Sequence, residues 1–146
     1  MRIFILLTCL ITIPAFAQKE EETAVRAVVD RLFEGMAKHD STIVRSVFHP
    51  TARLQSATMN KEKQPVLQSE SIDKFVKSIG SIPANVSIEE RLTGYEIRVD
   101  DRLATAWTSY EFYLNGKLSH TGVDAFQLYK TDQGWKIIQI SDTRKW

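Results

Sequence analysis

Four long β-type segments fill the second half of the chain and constrain it more than any other feature. Val86–Val99, Leu103–Leu114, Lys117–Lys130 and Trp135–Arg144 are rich in β-branched and aromatic residues and are separated only by turn residues. Segments this long, joined this tightly, predict consecutive antiparallel hairpins. Val86, Ile88 and Leu92 share one parity, whereas Tyr95, Ile97 and Val99 share the other. A bulge near Gly94 reconciles the two and bends the sheet.

The first half is helical. From Glu20 to Lys38, Val25, Val28, Val29, Leu32, Phe33 and Met36 recur at helical spacing, with Glu20, Glu21 and Glu22 near the positive end of the helix dipole. Asp40 or Ser41 can cap a second, shorter helix carrying Ile43, Val44, Val47 and Phe48, which Pro50 stops. Ala52–Thr58 reads as a strand, followed by a polar loop over Asn60–Gln64 and a short return at Val66-Leu67. Ser69 or Ser71 caps a third helix, with Ile72, Phe75, Val76 and Ile79 on one stripe before Gly80 and Pro83. The pattern predicts an α+β domain with three N-terminal helices packed on a highly curved antiparallel sheet.

Residues 1–17 have the form of a signal peptide. Arg2 is the basic region, Ile3–Ile13 the apolar region, and Ala15-Phe16-Ala17 an A-x-A cleavage site. The apolar run is too short to span a bilayer. Cleavage removes Cys9, the only cysteine, so the mature chain has neither disulfides nor a thiol nucleophile. It also removes Arg2, taking the 19 Lys and Arg to parity with the 18 Asp and Glu. A neutral chain offers no basic surface for nucleic acid or for an anionic membrane. Residues 18–146, about 129 in number, suffice for one core and predict one domain. Export places the mature protein in the periplasm or outside the cell.

Turn chemistry proposes a working face. Asn115-Gly116 is the usual two-residue type I′ turn, because both residues tolerate positive φ. With Leu114 opposite Lys117, counting back sets Glu111 against His120, Trp107 against Asp124 and Thr105 against Phe126. Thr131-Asp132-Gln133-Gly134 fits a turn with a left-handed glycine that pairs Thr131 with Trp135. Leu128 then meets Ile138, Phe126 meets Ile140, Asp124 meets Asp142 and Gly122 approaches Arg144. One face is thus apolar at one end and collects Trp107, Glu111, His120, Asp124, Asp142 and Arg144 at the other. A second turn tighter by one residue would take Asp142 off that face.

Helix, helix, strand, helix and a long curved sheet resembles the cystatin-like, cone-shaped fold of the nuclear transport factor 2-like superfamily. Ser119-His120-Thr121-Gly122-Val123-Asp124-Ala125-Phe126, with Gly134-Trp135-Lys136-Ile137 through Asp142-Thr143-Arg144, is similar to its lumazine-binding or SnoaL-like branch. The resemblance implies a cone-shaped α+β barrel with a cavity; its relatives include an isomerase, cyclases, dehydratases and non-catalytic binding modules. It also implies a homodimer, since Tyr110, Phe112 and Tyr113 occupy both parities of their strand and a second subunit often covers the outer face in such folds.

The chemistry stays open at this stage. Two facing carboxylates repel, so one keeps its proton, and Asp124 with His120 then forms a candidate acid–base pair beside an aromatic wall of Trp107. A structural role is open to the same groups: Asp142 tied by Arg144 or Arg53, Asp124 accepting from the indole N–H, and His120 paired with Glu111. His49 and His120 lack a third partner at ligand spacing, so no metal is expected, and no motif calls for a cofactor. Three functions remain: binding of a small aromatic or heterocyclic molecule between Trp107 and Phe126, isomerase, dehydratase or cyclase chemistry through Asp124 or His120, and assembly with a filled cone.

Overall fold

The computed structural model of the protein describes residues 13–146. Residues 1–12 of the expected signal segment lie outside them, and residues 13–17 open the first helix.

Helix α1 (Ile13–Ala37) buries Val25, Val29 and Leu32, spaced so that one stripe faces the sheet. It ends where His39 takes a left-handed φ of 53° and Asp40 turns the chain. The Asp40 carboxylate accepts the amides of Thr42 (2.9 Å) and Ile43 (3.0 Å), capping α2 (Ser41–Val47). A Cβ at Gly35 would lie 2.7 Å from Ile43, so only glycine lets α1 and α2 cross this closely. Phe48 is already extended, two residues before Pro50, and opens β1 (Phe48–Met59). After β2 (Pro65–Ser71), the Ser71 hydroxyl caps α3 (Ile72–Gly80) through the Lys74 amide.

The remainder is strand: β3 (Ile88–Asp100), β4 (Leu103–Leu114), β5 (Lys117–Thr131) and β6 (Gly134–Lys145). The six-stranded sheet runs β2-β1-β6-β5-β4-β3. All pairs are antiparallel except β1 with β6, which is parallel, so the sheet is mixed. It does not close into a barrel, yet both edge strands, β2 and β3, contribute to one cavity with the central strands, and this requires strong curvature. The expected irregularity near Gly94 is present, with the β3–β4 register shifting between Leu92 and Gly94.

The core lies between helices and sheet at one end of the cone. Val25, Val29, Leu32, Val44 and Val47 meet Ala104, Ala106, Phe126, Leu128 and Ile137. Phe33 packs edge to face on Phe126 at 6.2 Å. Glu21 accepts from the Trp135 indole at 2.8 Å and pairs with Lys130, fixing α1 to the β5–β6 end of the sheet.

Both hairpins depart from the pairing that their turns predict. Asn115 and Gly116 have φ of 52° and 76°, and Leu114 faces Lys117 as expected. Beyond Tyr113–Leu118 the ladder skips Ser119, so His120 faces Phe112, Thr121 faces Glu111 and Asp124 faces Thr108. Trp107 therefore pairs with Ala125, and it and Glu111 project to the outer face. In the last hairpin Thr131 pairs with Gly134 rather than Trp135, and Leu128 with Ile137 rather than Ile138. A bulge at Ile138 then restores the expected register, so Phe126–Ile140, Asp124–Asp142 and Gly122–Arg144 face each other.

Candidate active site

Where the inner face continues beyond the packed core, it encloses a cavity of about 640 Å³. Leu32, Phe33 and Met36 of α1 and Phe75 and Ile79 of α3 form its helical wall. The sheet supplies Phe112, Phe126 and Ile140, and the polar end holds Glu90, His120, Asp124, Asp142 and Arg144. Of the residues expected on this face, His120, Asp124, Phe126, Asp142 and Arg144 line the cavity. Trp107 and Glu111 do not. Trp107 is 55% exposed and lines a separate outer hollow with Glu96, Gln127 and Gln139. Glu111 accepts from the Tyr113 hydroxyl at 2.8 Å. The expected sandwich of a ligand between Trp107 and Phe126 is thereby excluded, as are the indole–Asp124 and His120–Glu111 contacts.

Asp124 is the centre of the polar end. It is only 5% exposed, and its Oδ2 is buried with no hydrogen-bond partner among the described residues. Thr108, directly opposite on β4, is fully buried and its hydroxyl is likewise unpartnered. A second carboxyl group, Glu90 of β3, lines the same end of the cavity as Asp124. Burial, followed by the Asp124 charge and the hydrogen bond to it, pushes Glu90 well above the carboxylate range. Burial likewise raises Asp124 to about 7, while the hydrogen bond from Glu90 pulls the other way. Two carboxyl groups buried together at one end of the cavity do not both ionise near neutral pH, so the pair retains a proton.

Arg144 donates its Nε to Asp142 at 2.9 Å and acts on this pair through its charge, which pulls both carboxyl groups down against the effect of burial. The Tyr110 hydroxyl donates to the Thr143 carbonyl at 2.9 Å, crossing β5 at Gly122. A Cβ at Gly122 would stand 2.0 Å from the Thr143 oxygen and 2.6 Å from the Tyr110 ring, so glycine is required for this approach. Burial, then the neighbouring Asp124 and Glu90, holds the Tyr110 phenol protonated. His120 is stacked on Phe112 (4.9 Å), has Tyr110 edge-on (5.8 Å) and Trp146 tilted against it (4.6 Å). Burial, and then Arg144, lower its pKa, so the imidazole is neutral at pH 7. Its Nδ1 lies 3.2 Å from the Ser119 hydroxyl.

Glu90 is the functional-site candidate that turn-based reading overlooked. Its signal was in the sequence: it falls between Ile88 and Leu92 on their buried parity. His49 is elsewhere, bonded to Thr51 at 2.8 Å and packed edge-on against Tyr129. Among the described residues, no group of three His, Cys, Asp or Glu side chains is placed to hold a metal ion.

Residues 20–141 match the model of the family described as "Putative lumazine-binding". The chain belongs to this family. Its fold is that of the nuclear transport factor 2-like superfamily. A Mycobacterium tuberculosis protein of unknown function aligns over 90% of this chain and 76% of its own, with 15% identity and a TM-score of 0.73. A Streptomyces avermitilis protein called a "putative dehydratase from the NTF2-like family" aligns over 88% and 98%, with 16% identity and a TM-score of 0.68. A Novosphingobium aromaticivorans "putative aromatic ring hydroxylase" aligns over 88% and 91%, with 15% identity and a TM-score of 0.67. Identities this low show a shared fold, which hosts differently named activities. Among proteins of curated function, none matches significantly.

Proposed function

We propose that this member of the lumazine-binding-like family is an exported protein whose cavity binds a small, flat aromatic or heterocyclic molecule. The observation that carries the reading is the cavity itself: about 640 Å³, walled by aliphatic and aromatic side chains, with a few buried polar groups converging at one end. Such a volume argues against a cone filled by its own side chains. Export rests on the form of residues 1–17, and among the described residues no helix is long and apolar enough to cross a membrane. Homodimerisation through the outer sheet face belongs to the same reading, supported by the exposed Leu103, Trp107 and Tyr129. Sedimentation of the mature chain as a monomer would remove that part.

A second reading is favoured by the proton-sharing Glu90–Asp124 pair. A carboxylate with its pKa raised to about 7 suits a general base removing a proton next to a carbonyl, with neutral His120 nearby.

The deciding experiment is thermal denaturation of the mature protein against aromatic, heterocyclic and steroid-like compounds, lumazine among them. A saturable rise in Tm that is lost in Phe112→Ala supports the pocket. No shift across the whole panel overturns it. Turnover of any hit, abolished in Asp124→Asn, would then establish catalysis.

A further inference from the structure

The geometry points to an organic nitrogen cation, an amidinium or protonated amine on a flat apolar body, whose N–H donors dock on the Glu90–Asp124 pair. This rests on the pocket reading above and names the head group the pocket takes.

Beyond the proton that the two carboxyl groups retain, the pair lacks donors. Asp124 Oδ2 is more than nine-tenths buried and faces no partner among the described residues, and Thr108, directly across the strands, leaves its hydroxyl oxygen in the same state. Buried acceptors in this condition are rare in folded proteins because each forfeits its hydration without replacement. No surrounding group donates to Oδ2 as the side chains are placed. The Tyr110 hydroxyl from β4 is directed to Thr143, and Arg144 from β6 is directed to Asp142. His120 from β5 is neutral and turned into its aromatic stack. Lys74 of α3 is paired with Glu70 of β2 at 3.4 Å. The α1 wall is Leu32, Phe33 and Met36, with no ionisable group.

A ligand that only accepts hydrogen bonds would leave Asp124 unpaired, and an anion would meet two carboxyl groups. A cation with two or more N–H donors satisfies Oδ2 and offsets the charge, in the charge-assisted geometry that gives the strongest hydrogen bonds. Its flat body would lie among Phe33, Phe112 and Phe126.

Protonation follows from the same geometry. Below about pH 7 both carboxyl groups hold protons, and docking a cation must expel one from Asp124. Above that, Asp124 is already ionised. Affinity should therefore rise from pH 6 to pH 8, with a proton released to buffer at pH 6 and little release at pH 8.

Calorimetric titration with benzamidine, benzamide and benzoate, of one shape but different charge, tests this in buffers of differing ionisation enthalpy. The expected result is benzamidine binding about tenfold or more tighter than benzamide, a difference of about 1.4 kcal/mol or more. Benzoate should not bind. Asp124→Asn should remove the preference and the pH dependence while leaving a cooperative thermal transition, whereas Glu90→Gln, which keeps Asp124 ionisable, should retain the preference. Benzamide binding as tightly as benzamidine, or an affinity that falls between pH 6 and 8, overturns the cation while the pocket stands. No binding by these probes or by the neutral panel overturns both.

Discussion

The same strands build two different environments on one face of the sheet. Toward the β5–β6 turn, Ala104, Ala106, Leu128 and Ile137 are sealed by α1 and α2, and every side chain finds apolar neighbours. Farther along β4 and β5, the face carries Tyr110, Phe112, His120 and Asp124, the helices no longer fill the space, and a cavity remains. Strand chemistry and helical cover change together between the ends. A face that outruns its cover must either take polar residues and water or accept a ligand. Here it holds carboxyl groups buried well enough to keep protons, a condition the packed end could not tolerate.

The largest effects should come from breaking the packed end and the glycine that joins the two. Leu128→Ala leaves a void in a fully buried position and should cost about 2–5 kcal/mol in denaturant unfolding. Gly122→Ala should cost at least as much, since its methyl group would collide with the Thr143 carbonyl and force β5 and β6 apart. If Gly122→Ala unfolds like the wild type, the close approach of Tyr110 to β6 is not needed and the polar end is looser than described.

A smaller effect separates the two ends by pH. Asp124 keeps its proton to about pH 7 when folded, against an ordinary value of 3.8. Between those values the folded protein binds more protons than the unfolded chain, so this contribution is complete below pH 3.8 and is lost as pH rises through about 7. Asp124→Asn removes the ionisation. Its stability relative to wild type should therefore improve by a few kcal/mol between pH 5 and pH 8, whereas Leu128→Ala should stay a constant distance below wild type. Parallel curves for wild type and Asp124→Asn would mean that Asp124 is not held protonated.

How much could be read beforehand follows the same physical division. Helix caps at Asp40 and Ser71, apolar spacing in α1 and α3, and the Asn115-Gly116 turn are local signals, and the elements they predict are present. Pairing is not local. A turn fixes register only until a bulge intervenes, and Ser119 and Ile138 each insert one. For β5–β6 the tighter turn and the bulge cancel, so Asp124 still faces Asp142. For β4–β5 nothing cancels, and Trp107 leaves the inner face. The better guide lay in composition: Ala104, Ala106, Tyr110 and Phe112 share one parity, while Thr105, Trp107, Ser109 and Glu111 share the other. Burying the first set against Phe126 and Leu128 requires the extra residue at Ser119, so hydrophobic pattern should outrank turn type when they disagree. The same rule brings Glu90 inward with Ile88 and Leu92. Which polar groups would lack partners was not legible, because that depends on side-chain geometry across four strands.

The smallest expected effect is the most direct check on which face does the work. Trp107 stands 55% exposed on the outer face, so Trp107→Ala should change unfolding by no more than about 1 kcal/mol. Any ligand-induced rise in Tm should be unchanged, because the indole does not reach the cavity that contains Asp124. Phe112→Ala, farther along β4 on the cavity face and stacked on His120, should abolish that rise. Were Trp107→Ala to remove ligand stabilisation and Phe112→Ala to spare it, the binding face would be the outer hollow, and the buried carboxyl pair would be a feature of folding alone.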